Sequence, residues 1–147
     1  MIKILCVGKM NQKGLQDSIQ YYIKQCPIDV EIIEVFDEAT EQGKIVEGQR
    51  LLSKIKESDV VVALAILGKP MTSEAFASFL DEKMTYHQGD IVFVIGGSYG
   101  LSEDVMKRAN VKLSFSTMTF PHQLMRLILV EQIYRGLMIL KHHPYHK

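Results

Sequence analysis

Residues 92–105 read VFVIGGSYGLSEDV: an apolar run, two adjacent glycines, then a serine followed by two acids. Read along the chain, this is a buried strand, a tight turn and a helix start. Segments of that shape often cradle a nucleotide phosphate, so the glycine spacing decides which α/β fold is meant. A dinucleotide fingerprint requires glycine at the first, third and sixth positions of its loop. Counting from Gly96 those positions hold Gly96, Ser98 and Leu101, and from Gly97 they hold Gly97, Tyr99 and Ser102. Both registers fail. A phosphate loop fails as well, because none of the three Gly-Lys pairs, at Gly8, Gly43 and Gly68, is followed by Ser or Thr. Ser102 is a good helix N-cap, which sets Glu103 and Asp104 in the first turn. Carboxylates there already answer the positive end of the helix dipole, so an arriving phosphate would be repelled. The turn suits a ligand that is neutral or carries a positive centre.

Working outward, strand-length apolar runs alternate with amphipathic stretches. Strands are predicted at Ile2–Val7, Val30–Phe36, Val60–Ile66, Ile91–Ile95 and Val111–Phe115. Several are apolar throughout, as parallel strands covered on both faces are. Helices are predicted at Asn11–Gln25, Thr40–Lys56, Ser73–Tyr86, Ser102–Ala109 and His122–Leu140, the second starting late because of Gly43 and Gly48. The alternation predicts an α/β fold, a mostly parallel sheet with helices on both faces. At 147 residues, with no linker or repeat, the chain reads as one domain, 1–147.

Composition narrows the function class. Neither Val60–Leu67 nor Leu127–Val130 approaches the length of a membrane span, and MIKILCVG is too short for a signal core. Cys6 and Cys26 have no metal-site or disulfide spacing, so a reduced, cytoplasmic setting is expected. Net charge is zero, but Met106–Lys147 holds seven basic residues against the single acid Glu131. That asymmetry predicts either a local basic face or scatter over the globule.

The segment 114–126, SFSTMTFPHQLMR, leads into the most apolar helix. Pro121 suits a first helical turn. From His122 to Leu140 the apolar side chains surround the axis, which predicts burial on every side and one face for a second copy. Glu131 and Arg135 lie at i, i+4 and read as a helix salt bridge. His122 and Arg126 share one face at the helix entrance, a better place for chemistry. The terminal KHHPYHK reads as a frayed end, an RNA contact or, with His142 and His146 four apart, a weak metal site.

Five segments in order, MIKILCVGKM, LGKPMTSEAF, IGGSYGL, FSTMTFPHQLMR with LVEQIYR following, and HHPYHK, closely resemble the RlmH family. These are small SPOUT-class methyltransferases acting on a pseudouridine of large-subunit (23S) ribosomal RNA. The resemblance covers essentially the whole chain. It implies a SPOUT-type fold whose C-terminal segment threads a trefoil knot, an exception to unthreaded chains. It implies S-adenosylmethionine held by three loops: the one after Leu64, the turn at Gly96 and Gly97, and Phe115, Ser116, Thr117, Met118, Thr119 and Phe120. It implies a homodimer in which the tail of one subunit reaches the methyl donor of the other, giving Tyr145, His146 and Lys147 a substrate role.

The implied reaction methylates N3 of the pseudouridine, so N3 must lose a proton. His122, His146 or a water would take it, and Arg126 would hold a phosphate or favour the deprotonated ring. No metal is implied. Two positions depart from the family pattern: Ala65 where an acid is common, and Lys147 where Arg is common, which loses bidentate phosphate geometry. A neutral protein should hold naked RNA poorly, so the assembled ribosome is the expected substrate. The competing classes are a non-catalytic ribosome-binding or assembly factor and a flavodoxin-like flavin or nucleotide binder.

Overall fold

A computed structural model describes residues 1–147. Its elements, in chain order, are β1 (Ile2–Val7), α1 (Lys13–Gln25), β2 (Val30–Val35), a 3-10 turn at Glu41–Gly43, α2 (Lys44–Leu52), β3 (Val60–Pro70), α3 (Ser73–Tyr86), β4 (Ile91–Ile95), α4 (Glu103–Arg108), β5 (Val111–Ser114) and α5 (His122–Leu140). The five strands form one sheet in the order β2-β1-β4-β3-β5, with every neighbouring pair parallel. The α/β architecture expected from the alternation is therefore present.

Strand residues alternate between two cores, the period-2 rule of a pleated sheet. Ile2, Ile4 and Cys6 of β1, with Ile91, Phe93 and Ile95 of β4, face α1, α3 and α5. Leu5 and Val7, with Val92 and Val94, face α2 and α4, where Leu51 and Val105 close the smaller core. Each fully buried side chain of this size contributes roughly 1.5–3 kcal/mol, so both faces have to be covered. On the larger face α5 lies between α1 and α3. Gly136 allows the close approach to α3, since a Cβ there would stand 3.1 Å from Leu80 Cδ1 and 3.5 Å from Ala77 Cα.

Three expectations are corrected. β3 continues past Ile66 to Pro70 through an irregularity in which Leu113 of β5 is the partner of both Leu64 and Lys69. The chain between them swings out of the sheet and returns at Gly68, where a Cβ would lie 2.8 Å from the Lys112 carbonyl group. The second helix is split, its first turn being 3-10 and α2 ending at Leu52. Pro121 stands at the N-cap position, outside the helix. Helix α5 buries Leu129, Val130, Ile133 and Leu137 in the core and leaves Leu124, Leu127 and Ile139 partly buried, the apolar surface expected to face a second copy.

Of the seven basic residues in the C-terminal segment, the three arginines are engaged within the chain, while Lys107, Lys112, Lys141 and Lys147 are exposed. Arg126 is buried, Arg135 is paired with Glu131, and Arg108 donates to the carbonyls of Lys56, Glu57 and Asp59. These guanidinium groups serve loop and helix packing on different elements.

Candidate active site

The carboxyl ends of β3, β4 and β5 open into a cavity of about 450 Å³, a size within the usual range for small-molecule sites. Three backbone segments close it, and they come from the three places expected. Leu64 with the excursion after it forms one wall, Gly96 and Gly97 the second, and Phe115, Ser116, Met118, Thr119 and Phe120 the third. Thr117 is the one expected residue that stands outside the lining. Leu101 and Met125, within two of the quoted motifs, and Met106, which no motif marked, add apolar surface.

Local chemistry fixes each wall. Gly96 is needed because a Cβ there would lie 2.7 Å from the Gly100 carbonyl carbon. Gly100 itself takes φ +80°, and Gly97 and Gly100 form an isolated bridge that closes the turn. The Ser102 hydroxyl accepts from Val105 N–H at 3.3 Å, capping α4 as expected. The third wall is held by hydroxyls: Ser114 donates to the Ser116 carbonyl at 3.0 Å, and Ser116 Oγ accepts from Met118 N–H at 2.9 Å. Only one titratable side chain, His122, joins this lining. The cavity is thus mostly apolar, with backbone donors and acceptors at its turns and no charged group to bind a phosphate. A nucleoside with a sulfonium centre fits such a lining, and Gly96, Gly97 and the 115–120 segment would hold it.

His122 lies at the cavity rim, in the first turn of α5. Burial lowers its pKa below the usual histidine value, and the neighbouring Arg126 charge adds to that, against opposing pulls from Asp37 and Glu47. The imidazole is therefore neutral at neutral pH and can accept a proton. If it serves as the base, activity is fully present above its depressed pKa and falls as pH drops through it. We expect the acid limb of the kcat/KM profile to lie below pH 6.5 and to vanish in His122→Asn. An unchanged limb in that variant would exclude the histidine.

Arg126 is not where a phosphate could meet it. Only 1% of its side chain is exposed. Its Nη1 donates to Glu34 Oε2 at 2.6 Å, and its Nη2 donates to the Gly8 and Val7 carbonyls at 2.7 and 3.3 Å. The guanidinium ties α5 to the carboxyl end of β1 and to β2, and so positions His122 one turn before it. The sequence placed both residues on one face; the full burial of one and the half-burial of the other at the cavity came from the sheet.

The tail residues do not line the cavity of their own chain. Tyr145 stacks edge-on against Tyr134 at 4.7 Å between ring centres, lies 4.8 Å from the Arg135 guanidinium and donates to Glu131 Oε1 at 3.1 Å. His146 sits between Glu74 at 2.7 Å and Arg135 at 3.1 Å. The salt bridge of Arg135 with Glu131, 2.7 Å long, thus has a second task as the seat of the tail. His142, at φ +56°, turns the chain back along α5. No group of three or more His, Cys, Asp or Glu is gathered to hold a metal. Burial pushes the Cys6 thiol up to about 12 and the Cys26 thiol to about 11, which favours the protonated thiol at both.

The family described as "Predicted SPOUT methyltransferase" matches residues 1–146. A protein of Acholeplasma laidlawii named "Ribosomal RNA large subunit methyltransferase H" is similar at 51% identity, with 99% of each chain covered. Proteins with the same name from Lactiplantibacillus plantarum and Bacillus pumilus are each 50% identical, again over 99% of both chains.

Proposed function

This chain belongs to the SPOUT methyltransferase family, and on that premise we propose that it methylates N3 of a pseudouridine in large-subunit ribosomal RNA, using S-adenosylmethionine. The observation that carries the proposal is the mostly apolar cavity closed by three separate backbone segments, with the neutral His122 in its lining. The names of the relatives supply the substrate class.

When bound, S-adenosylmethionine supplies a methyl group on a sulfonium and takes back the bonding electrons as that methyl departs. The chain's own residues do the rest. The Gly96–Gly97 turn and the 115–120 segment orient the donor, and Leu101, Met106 and Met125 keep water from it. His122 accepts the N3 proton, so that the nitrogen lone pair is free to attack in line. Holding two reactants in such geometry is worth about 7–11 kcal/mol, more than any single polar contact here.

The same proposal includes a homodimer, a knotted C-terminal segment and action on the assembled ribosome in the cytoplasm. Leu67 is 98% exposed and Met118 72% exposed, both lining the cavity and apolar, which suits cover by a second copy. The knot rests on membership of the SPOUT family. With zero net charge and its guanidinium groups engaged, the protein has little with which to hold naked RNA. No helix is long and apolar enough to cross a membrane.

The test is transfer of labelled methyl from S-adenosylmethionine to ribosomes, with nucleoside analysis of the product. Label in N3-methylpseudouridine is expected. Ribosome binding without transfer would instead support a non-catalytic assembly factor, and equal labelling of free RNA fragments would remove the requirement for assembly.

A further inference from the structure

A notch beside the cavity has no assigned role. Gly8 ends β1 at φ +93°, a conformation that favours glycine. A Cβ there would stand 3.9 Å from His122 Nε2 and 4.0 Å from both Cβ and Cγ of Asp37. The side-chain-free backbone of Gly8 therefore leaves a space within reach of both an imidazole and a carboxylate. Because His122 also lines the main cavity, the notch opens next to the place where the methyl donor would lie.

Asp37 is exposed and takes no hydrogen-bond or ion-pair partner within the chain, unlike the acid next to it. The Glu38 carboxylate accepts from Arg50 at 2.9 Å, and the Glu38 N–H donates to Glu47 Oε2 at 2.8 Å. Those two bonds hold the backbone on one side of Asp37, while its own carboxylate stays free. Glu47 is the second observation. It is only 3% exposed, its Oε1 has no partner, and that oxygen lies 3.8 Å from where a Cβ on Gly97 would stand. A buried acceptor without a donor calls for an explanation, and here it faces the turn that bounds the cavity.

We infer that Asp37 is a specificity residue that accepts the N1–H of pseudouridine while His122 receives the proton of N3; the inference rests on the reaction proposed above. In pseudouridine the ribose is attached at C5, so N1 and N3 both carry hydrogen. In uridine N1 is bound to the ribose and offers no donor. Acceptors serving N–H groups at positions 1 and 3 of one six-membered ring stand roughly 7 Å apart at ordinary hydrogen-bond lengths. Two groups that each lie within 4.0 Å of one point above Gly8 can satisfy that separation. Burial and the Arg126 charge keep His122 neutral and able to accept. An anionic phosphate is disfavoured in the notch, since Asp37 and Glu47 both oppose it. A site built to bond an N–H rejects the analogue that lacks it far more strongly than an apolar pocket can.

The experiment compares ribosomes carrying pseudouridine at the target with ribosomes carrying uridine there, from a strain lacking the pseudouridine synthase. Single-turnover methylation and ribosome binding are both measured. The wild type is expected to favour pseudouridine by at least 100-fold in rate. Asp37→Ala should cut that ratio at least tenfold, mainly by loss on the pseudouridine substrate, and Asp37→Asn should recover part of it through its amide oxygen. Unchanged S-adenosylmethionine affinity and melting temperature would show that the loop variants are folded. A ratio in Asp37→Ala equal to that of the wild type overturns the inference while leaving the proposed reaction intact. Absence of methyl transfer by the wild type overturns the reaction itself, and the inference with it.

Discussion

A chain ending at Lys141 is expected to lose methyl transfer by about 100-fold or more, the scale of a misplaced reactant, while keeping its fold. Residues 142–147 contribute little to the core. His142, His143, Pro144 and Lys147 are exposed, and Tyr145 and His146 are only partly buried. What they lose is the Tyr145 bond to Glu131, its packing on Tyr134 and Arg135, and the His146 contacts with Glu74 and Arg135. Glu131 and Arg135 retain each other, at 2.7 Å. The melting temperature should therefore fall by no more than about 5 °C. Full activity in the shortened chain would remove the tail from the mechanism.

Mixing identifies which subunit the tail serves. Gly96→Val places side-chain atoms against the Gly100 carbonyl, where even a Cβ would be 2.7 Å away, and so destroys the cavity while leaving the tail. If the tail acts across the dimer, tailless chains and Gly96→Val chains, each inactive alone, should regain activity when mixed. If it acts only on its own chain, mixing restores nothing. That outcome would leave the seat against Glu131 and Arg135 as its whole function.

The second large effect concerns stability. Arg126→Met should destabilise the protein by about 2–4 kcal/mol, because two backbone carbonyls lose their donor and a buried ion pair is broken. Glu34 is 36% exposed and can regain water, which keeps this loss below the upper end for buried pairs. Glu34→Leu should be at least as harmful, about 3–5 kcal/mol, since it leaves the buried guanidinium without its anion. The double variant should cost less than the sum of the two, as coupled neighbours do. Urea unfolding with the slope held constant measures all three. A loss under 1 kcal/mol for Arg126→Met would mean that β1 and α5 are held by apolar packing alone. Total stability of a domain is only about 5–15 kcal/mol, so the expected loss is a large share of it.

Much of this protein could be read along the chain because local rules carried the information. Runs of Val and Ile without polar interruption marked the strands, and the Ser102 cap with Glu103 and Asp104 marked a helix start that excludes phosphate. The adjacent glycines at 96 and 97 marked a close backbone turn. Each of these signals depends on neighbours within a few residues, where backbone geometry and hydrogen bonding act, whereas the other two walls of the cavity were legible only through the family resemblance.

Other features depend on which elements the sheet brings side by side, and spacing along the chain does not record that. Arg126 and His122 share a helical face, yet Glu34 of β2 and the carbonyls after β1 draw one inward and leave the other at the cavity rim. Asp37 and His122 are 85 positions apart in the chain and meet only over Gly8, because β1 lies between β2 and β4. The basic surplus near the C-terminus was real in composition, but its three guanidinium groups are engaged with carboxylates or carbonyls of the chain itself. Sequence determined the elements and their turns; burial and charge pairing, which act across the sheet, decided what each ionisable residue can do.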